Sequence, residues 1–198
     1  MAGEGARPER SGPVRERIRE IVEGHEAVAI DDDALAPAAV LLLLYERDGV
    51  EHLLFQVRTH HVEHHKGEIS FPGGGQDPGD GSLEVTCLRE TEEEIGVAAS
   101  DVELFGRLDD VPTRSHFAMT PFVGAITRPG PYPFRFAEIE VAELLEVPLD
   151  LLLSGDALEW TARPDGPVMP AYRYGEHLIF GATARVVANF LQLLEDAP

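Results

Sequence analysis

Lysine is nearly absent from this chain: of 16 cationic side chains only Lys66 is lysine, set against 36 Asp and Glu for a net charge of −20. So negative a surface repels phosphate backbones and anionic headgroups, which excludes nucleic acid and membrane surfaces as partners. Cysteine is confined to Cys87, so an intramolecular disulfide is impossible. Long apolar runs are missing as well. The longest, residues 38–44, falls far short of the roughly 20 residues needed to cross a bilayer. No charged-then-apolar leader opens the chain, and the cytoplasm is the expected compartment. Residues 1–12 are small, charged and proline-containing, and are expected to be disordered. Residues 13–198 are enough for a single domain with its own core.

Hydrophobic spacing supplies the elements. Residues 13–24 begin with Pro and end with Gly, and Val14, Ile18, Ile21 and Val22 recur at helical spacing. Residues 38–45 and 53–57 read as strands joined around Arg47-Asp48-Gly49, with Asp31-Asp32-Asp33 a solvated linker before them. A short strand at 68–71 leads into the loop Gly73-Gly74-Gly75, and a helix is expected over 82–95. Strands follow at 102–108 and 121–126, then a segment at 139–153 that mixes helical turns with an extended piece. A hairpin around Gly175-Glu176 and an amphipathic helix over 182–194 complete the chain. Strands interleaved with helices in this order predict an α/β/α sandwich around a mixed sheet.

The run Arg89-Glu90-Thr91-Glu92-Glu93-Glu94-Ile95-Gly96-Val97 carries the chemistry. With Glu90 at zero and about 100° per residue, Glu93 falls near 300°, Glu94 near 40° and Arg89 near 260°. Leu88, Thr91 and Ile95 fall at about 100–160° and form the expected apolar face. Cys87 lies on that side as a small filler. Glu92, at about 200°, is a solvated charge. Ser82 is the expected N-cap and Gly96 the expected stop. Carboxylates three and four residues apart repel, and a hard divalent cation converts that repulsion into coordination by oxygen. Glu90 and Glu94 are the first candidates for ligands. Glu93 ligates or orients a water, and Arg89 fixes a carboxylate by ion pairing. Three glutamates alone, in so acidic a chain, would read as a solvated face.

The same run resembles the second half of the Nudix box, G-x5-E-x7-R-E-U-x-E-E-x-G-U with U aliphatic, led here by Gly75. Gly81 stands where the pattern has its first glutamate, with Asp80 just before it. Phe71-Pro72-Gly73-Gly74, Asp77, Asp80, Arg89 and Glu90 resemble a coenzyme A pyrophosphatase branch. The upstream Arg58 and Gly67 also fit that branch, whereas Phe55 and Glu63 depart from it. The resemblance implies a Nudix-like α/β/α sandwich, Mg²⁺ or Mn²⁺ as cofactor, and a small-molecule diphosphate substrate. Coenzyme A or its thioesters is the first candidate. ADP-ribose, a nucleotide sugar, a dinucleotide or a damaged nucleotide is the runner-up, and a non-catalytic nucleotide-binding module is the alternative from another class. A homodimer is left open.

Gly73 and Gly74 let backbone approach metal or phosphate, or simply make a tight loop. Arg58 and Lys66 flank that loop as candidate grips for substrate phosphate, weighed equally against surface ion pairs. His60, His61, His64 and His65 raise a zinc site, with a solvated loop preferred. Asp109-Asp110 ends a strand within possible reach of the metal. For Trp160, Phe117 and Tyr172, core packing is preferred over stacking on a base. An acidic, lysine-poor composition also fits adaptation to salt, although a GC-rich gene explains the arginine preference equally well. If self-repulsion limits stability, molar KCl raises the melting temperature above its value in dilute buffer. Equal stability in the two would refute that reading.

Overall fold

The long apolar run at 38–44 becomes the centre of the molecule. The computed structural model describes residues 11–59, 67–129, 131–162 and 167–197. The expected disorder of residues 1–12 falls almost wholly outside them, as do His60, His61, Glu63, His64, His65 and Lys66. Along the chain come α1 (Ser11–Glu23), β1 (Ala36–Arg47), β2 (Val50–Arg58), β3 (Ile69–Ser70), β4 (Gly73–Gly75) and α2 (Leu83–Ile95). A 3₁₀ turn (Ala99–Asp101) then leads to β5 (Val102–Arg107), β6 (Val111–Pro112), β7 (Phe117–Ile126) and β8 (Val141–Pro148). The chain ends with α3 (Leu149–Leu153), β9 (Leu158–Thr161), β10 (Met169–Tyr174), β11 (His177–Ile179) and α4 (Gly181–Asp196).

β1 runs antiparallel to β2 across the Asp48-Gly49 turn and parallel to β7, so the sheet is mixed. β8 and β3 join β2, β4 joins β1, and β5 and β6 join β7. A strand covered on both faces reads as a continuous apolar run rather than an alternating one, and β1 is buried from Ala38 to Tyr45. Val40, Leu42 and Leu44 point to one face, where they meet Ile18 and Val22 of α1 and Val187 and Phe190 of α4. Ala39, Leu41, Leu43 and Tyr45 point to the other, with Cys87 and Ile95 of α2. Each such aliphatic or aromatic side chain stabilises the fold by about 1.5–3 kcal/mol. Helices therefore cover both faces, which is the α/β/α sandwich the sequence predicts. None of the described helices is long and apolar enough to cross a membrane.

A second sheet, β9–β10–β11, carries a correction. Tyr172 packs in the core as expected, only 4% exposed, whereas Trp160 is 66% exposed. Trp160 lies on the edge strand β9 opposite Pro170, beyond the Leu158–Tyr172 pair where burial fades. Asp109 and Asp110 are corrected too. Asp109 accepts from the Val28 N–H and pairs with His25, while Asp110 accepts from the Ile30 N–H and the Thr120 hydroxyl. They clasp the segment after α1 onto the sheet.

Candidate active site

α2 begins where the sequence predicts. The Ser82 hydroxyl accepts from the Val85 N–H at 3.3 Å, and Glu84 sits in the first turn, where the helix dipole favours an anion. Gly96 ends it, donating its N–H to the Glu92 carbonyl. The buried stripe is rotated from expectation: it comprises Thr86, Cys87, Thr91, Glu94 and Ile95. Its centre lies at about 50° from Glu90 rather than about 130°, and Leu88 is left half-exposed. Cys87 is a buried filler, and burial raises its thiol pKa far above the ordinary value.

The rotation carries Glu94 inside, where it is 3% exposed. Its Oε2 accepts from the Gly73 N–H and from Gln56 Nε2, both at 2.8 Å. Its Oε1 faces Arg58 Nη1 at 3.3 Å. Burial pushes the Glu94 carboxyl up to about 7, opposed by the Gly73, Gln56 and Arg58 contacts. Arg58, read from sequence either as a phosphate grip or as an ion pair, is here an ion pair with Glu94.

The glycines make this possible. Gly73 has φ 146°, and a Cβ there would stand 2.2 Å from the Ala39 carbonyl oxygen. Only glycine lets β4 run this close to β1 and aim its N–H at Glu94. At Gly74 a Cβ would fall 2.6 to 2.8 Å from the Glu90 carboxyl atoms, so that carboxylate lies flat against bare backbone.

Glu90 pairs with Arg89 Nη1 at 2.9 Å. Burial raises its proton affinity, Arg89 opposes this, and the charges of Glu93 and Glu140 add to the rise. Glu93 is 61% exposed and meets the same Nη1 at 3.0 Å, the expected pairing one turn apart. Glu92 is exposed, also as expected. Arg89 in turn is held by Asp80, with Nε to Oδ1 at 3.0 Å and Nη2 to Oδ2 at 2.9 Å. The Asp80 side chain is itself only 6% exposed and accepts from the Asp77 N–H and the Thr86 hydroxyl. The Arg89 hydrogen bond holds its carboxyl well below the usual carboxylate range. Gly81, where the motif would have a glutamate, is exposed. Asp80, one residue upstream of that position, makes the ion pair with Arg89.

Sequence reasoning did not single out Gln56 as a site residue. Its signal was a lone amide inside the apolar strand Leu54-Phe55-Gln56-Val57. The departure at Phe55 is core packing, since its ring stacks on Phe71 with centroids 4.7 Å apart. Phe117 is half-buried beside Gly75.

Among the described residues, no three His, Cys, Asp or Glu side chains already form a metal cage. The donor chemistry nonetheless fits a hard divalent cation. Glu90 and Glu94 are two buried or half-buried carboxylates with raised proton affinity, Glu93 stands beside them, and all their donors are oxygen.

A mixed sheet between helices, with this carboxylate helix beside a glycine strand, defines a hydrolase of the Nudix type. A NUDIX domain model matches residues 35–170, and the chain belongs to that family. The Nudix hydrolase NudL of Yersinia enterocolitica is 37% identical over 143 residues, 71% of this chain and 72% of that protein. The mitochondrial coenzyme A diphosphatase NUDT8 of Homo sapiens is 34% identical over 164 residues, 80% of this chain and 70% of that one. A crystal structure of a MutT/nudix family protein from Enterococcus faecalis superposes with a TM-score of 0.53 at 15% identity. That match covers 86% of this chain and 66% of the other, and it establishes the shared fold.

Asp80→Asn keeps the shape but removes the charge that anchors Arg89, so kcat/KM for diphosphate hydrolysis should fall about 10-fold to 100-fold with the circular dichroism spectrum unchanged. Unaltered kinetics would show the pair to be dispensable. For Glu94, the folded-state value near 7 lies above the ordinary 4.5. Its contribution to stability is therefore complete below about pH 4.5 and is lost as pH rises through about 7. In chelator-treated protein this part of the melting temperature falls across that window, and Glu94→Gln flattens the slope. An identical slope in the variant would assign the dependence to other groups.

Proposed function

We propose that the chain is a divalent-ion-dependent pyrophosphatase acting on coenzyme A or its thioesters, releasing 3′,5′-ADP and a 4′-phosphopantetheine product. The observation that carries this reading is the contact of the F-P-G-G strand with α2. Gly73 and Gly74 touch Glu94 and Glu90, and Arg58 of the upstream motif reaches Glu94. The same residues form the pattern resembling the coenzyme A branch, and the human relative bears the name of that activity.

Glu90, Glu94 and Glu93 would hold Mg²⁺ or Mn²⁺. When bound, the ion neutralises charge on the phosphate oxygens and lowers the pKa of the attacking water. Arg89, anchored by Asp80, keeps the carboxylates of Glu90 and Glu93 turned toward one another. Glu93, the most exposed of the three, orients the attacking water. Gly73 and Gly74 present backbone free of side-chain bulk, so a diphosphate can approach. Arg58, 23% exposed in its side chain and paired with Glu94 in the ion-free site, would turn with Lys66 to grip the substrate phosphates once Glu94 holds the ion. The reaction is set in the cytoplasm.

A panel of coenzyme A, acetyl-coenzyme A, ADP-ribose, a nucleotide sugar and a dinucleotide, with Mg²⁺ or Mn²⁺, tests the reading. Coenzyme A should give 3′,5′-ADP, with Glu93→Gln and Glu94→Gln lowering kcat by orders of magnitude while the fold is kept. Turnover of ADP-ribose but not coenzyme A would replace the substrate. No turnover of any member would favour a nucleotide-binding module.

A further inference from the structure

Gln56 sits in β2 between Phe55 and Val57, fully buried, with β3 and β8 paired on either side of it. Three observations separate it from an ordinary core residue. Its Nε2 donates to Glu94 Oε2 at 2.8 Å, while Ser70 Oγ is 3.5 Å away. Its Oε1 has no hydrogen-bond partner among the described residues. The oxygen it holds on Glu94 is the one that also receives the Gly73 N–H. An apolar side chain of similar size would fill this strand position without an unpaired buried oxygen. The amide is therefore matched to Glu94 rather than to the packing around it.

We propose that Gln56 is a positioning residue for ion binding. With the Gly73 N–H it pins Glu94 Oε2, so that Oε1, which among the described residues meets the longer Arg58 contact alone, is the oxygen offered to the cation. Two donors converging on one oxygen fix the rotation of the carboxylate, and the orientation of a ligand is what such supporting hydrogen bonds control. This rests on the reading of Glu94 as a ligand.

Mn²⁺ titrated into the metal-free protein, with free Mn²⁺ followed by electron paramagnetic resonance, tests it. Gln56→Met, similar in volume but without the donor, should weaken Mn²⁺ binding about 10-fold. In assays kcat should return at saturating Mn²⁺ with the substrate KM unchanged. Should that variant not fold, Gln56→Asn, whose amide is one methylene too short to reach Glu94, takes its place. Val187→Ala, on the opposite face of the sheet, should lower the melting temperature and leave Mn²⁺ affinity as it was. Wild-type affinity in a folded Gln56 variant, with binding lost in Glu94→Gln, would overturn the inference and spare the site. Wild-type affinity in Glu94→Gln as well would overturn the reading on which it rests. An equal loss in Val187→Ala would make the effect one of general destabilisation and overturn the inference too.

Discussion

The Gly73 N–H bond to the Glu94 carboxylate is the contact from which the rest of the site is built. It demands that β4 press against β1 at a separation where a Cβ could not fit. It demands equally that α2 turn an anionic side chain toward the interior. A carboxylate loses much hydration on entering a protein and is tolerated only when donors replace the water. The strand supplies one donor from its backbone, β2 supplies two more from Gln56 and Arg58, and the helix can rotate inward. Once it has rotated, Glu90 lies against Gly74 and Glu93 remains at the rim. The order buried, half-buried, exposed along Glu94, Glu90 and Glu93 is a consequence of this one contact.

The outer half of the site is organised around a cation. Arg89 meets Asp80, Glu90 and Glu93 within 3.0 Å and the Gly75 carbonyl at 3.4 Å. A guanidinium can do this because its donors lie in a rigid plane and address several acceptors at once. An ammonium at the same position would be a point charge unable to fork onto Asp80. In a chain this acidic, one well-anchored arginine keeps three carboxylates from spreading apart. It does so without closing the site, since Glu93 stays mostly in water.

Much of this was legible in the sequence. The glycine run, the Ser82 and Gly96 caps, the apolar run of β1 and the pairing of Arg89 with Glu93 follow from spacing and side-chain type. So does the layer order, because a strand with no polar alternation has to be covered on both faces. What spacing could not reveal was the rotation of α2. A helical wheel groups Leu88 with Thr91 and Ile95 by polarity, and it has no knowledge of donors waiting at β4 and β2. Asp80 was visible as a motif residue but not as the partner of Arg89, since that pairing depends on the path of the loop between Gly75 and Ser82. Gln56 was hidden for a similar reason. A single amide in a strand acquires meaning only when its neighbour across the sheet and helix is known. Trp160 was misread because an aromatic on an edge strand carries the same local pattern as one in the core.

The departure at Phe55 shows how such a frame separates packing from recognition. Its ring stacks on Phe71, the first residue of the F-P-G-G run, so it tightens the strand that delivers Gly73 to Glu94. It bears on the geometry of the site and has no direct bearing on which diphosphate enters. The charge of the whole molecule bears on entry differently. A net charge of −20 repels an anionic diphosphate at a distance, but at physiological ionic strength that field decays over roughly 8 Å. Beyond a few such lengths the substrate meets little of the chain's charge, and within them it meets chiefly the groups nearest the mouth of the site. There Arg58 and Arg89 are already committed to carboxylates. Among the described residues the net local charge is therefore negative, and a bound divalent ion would offset it for an anionic substrate.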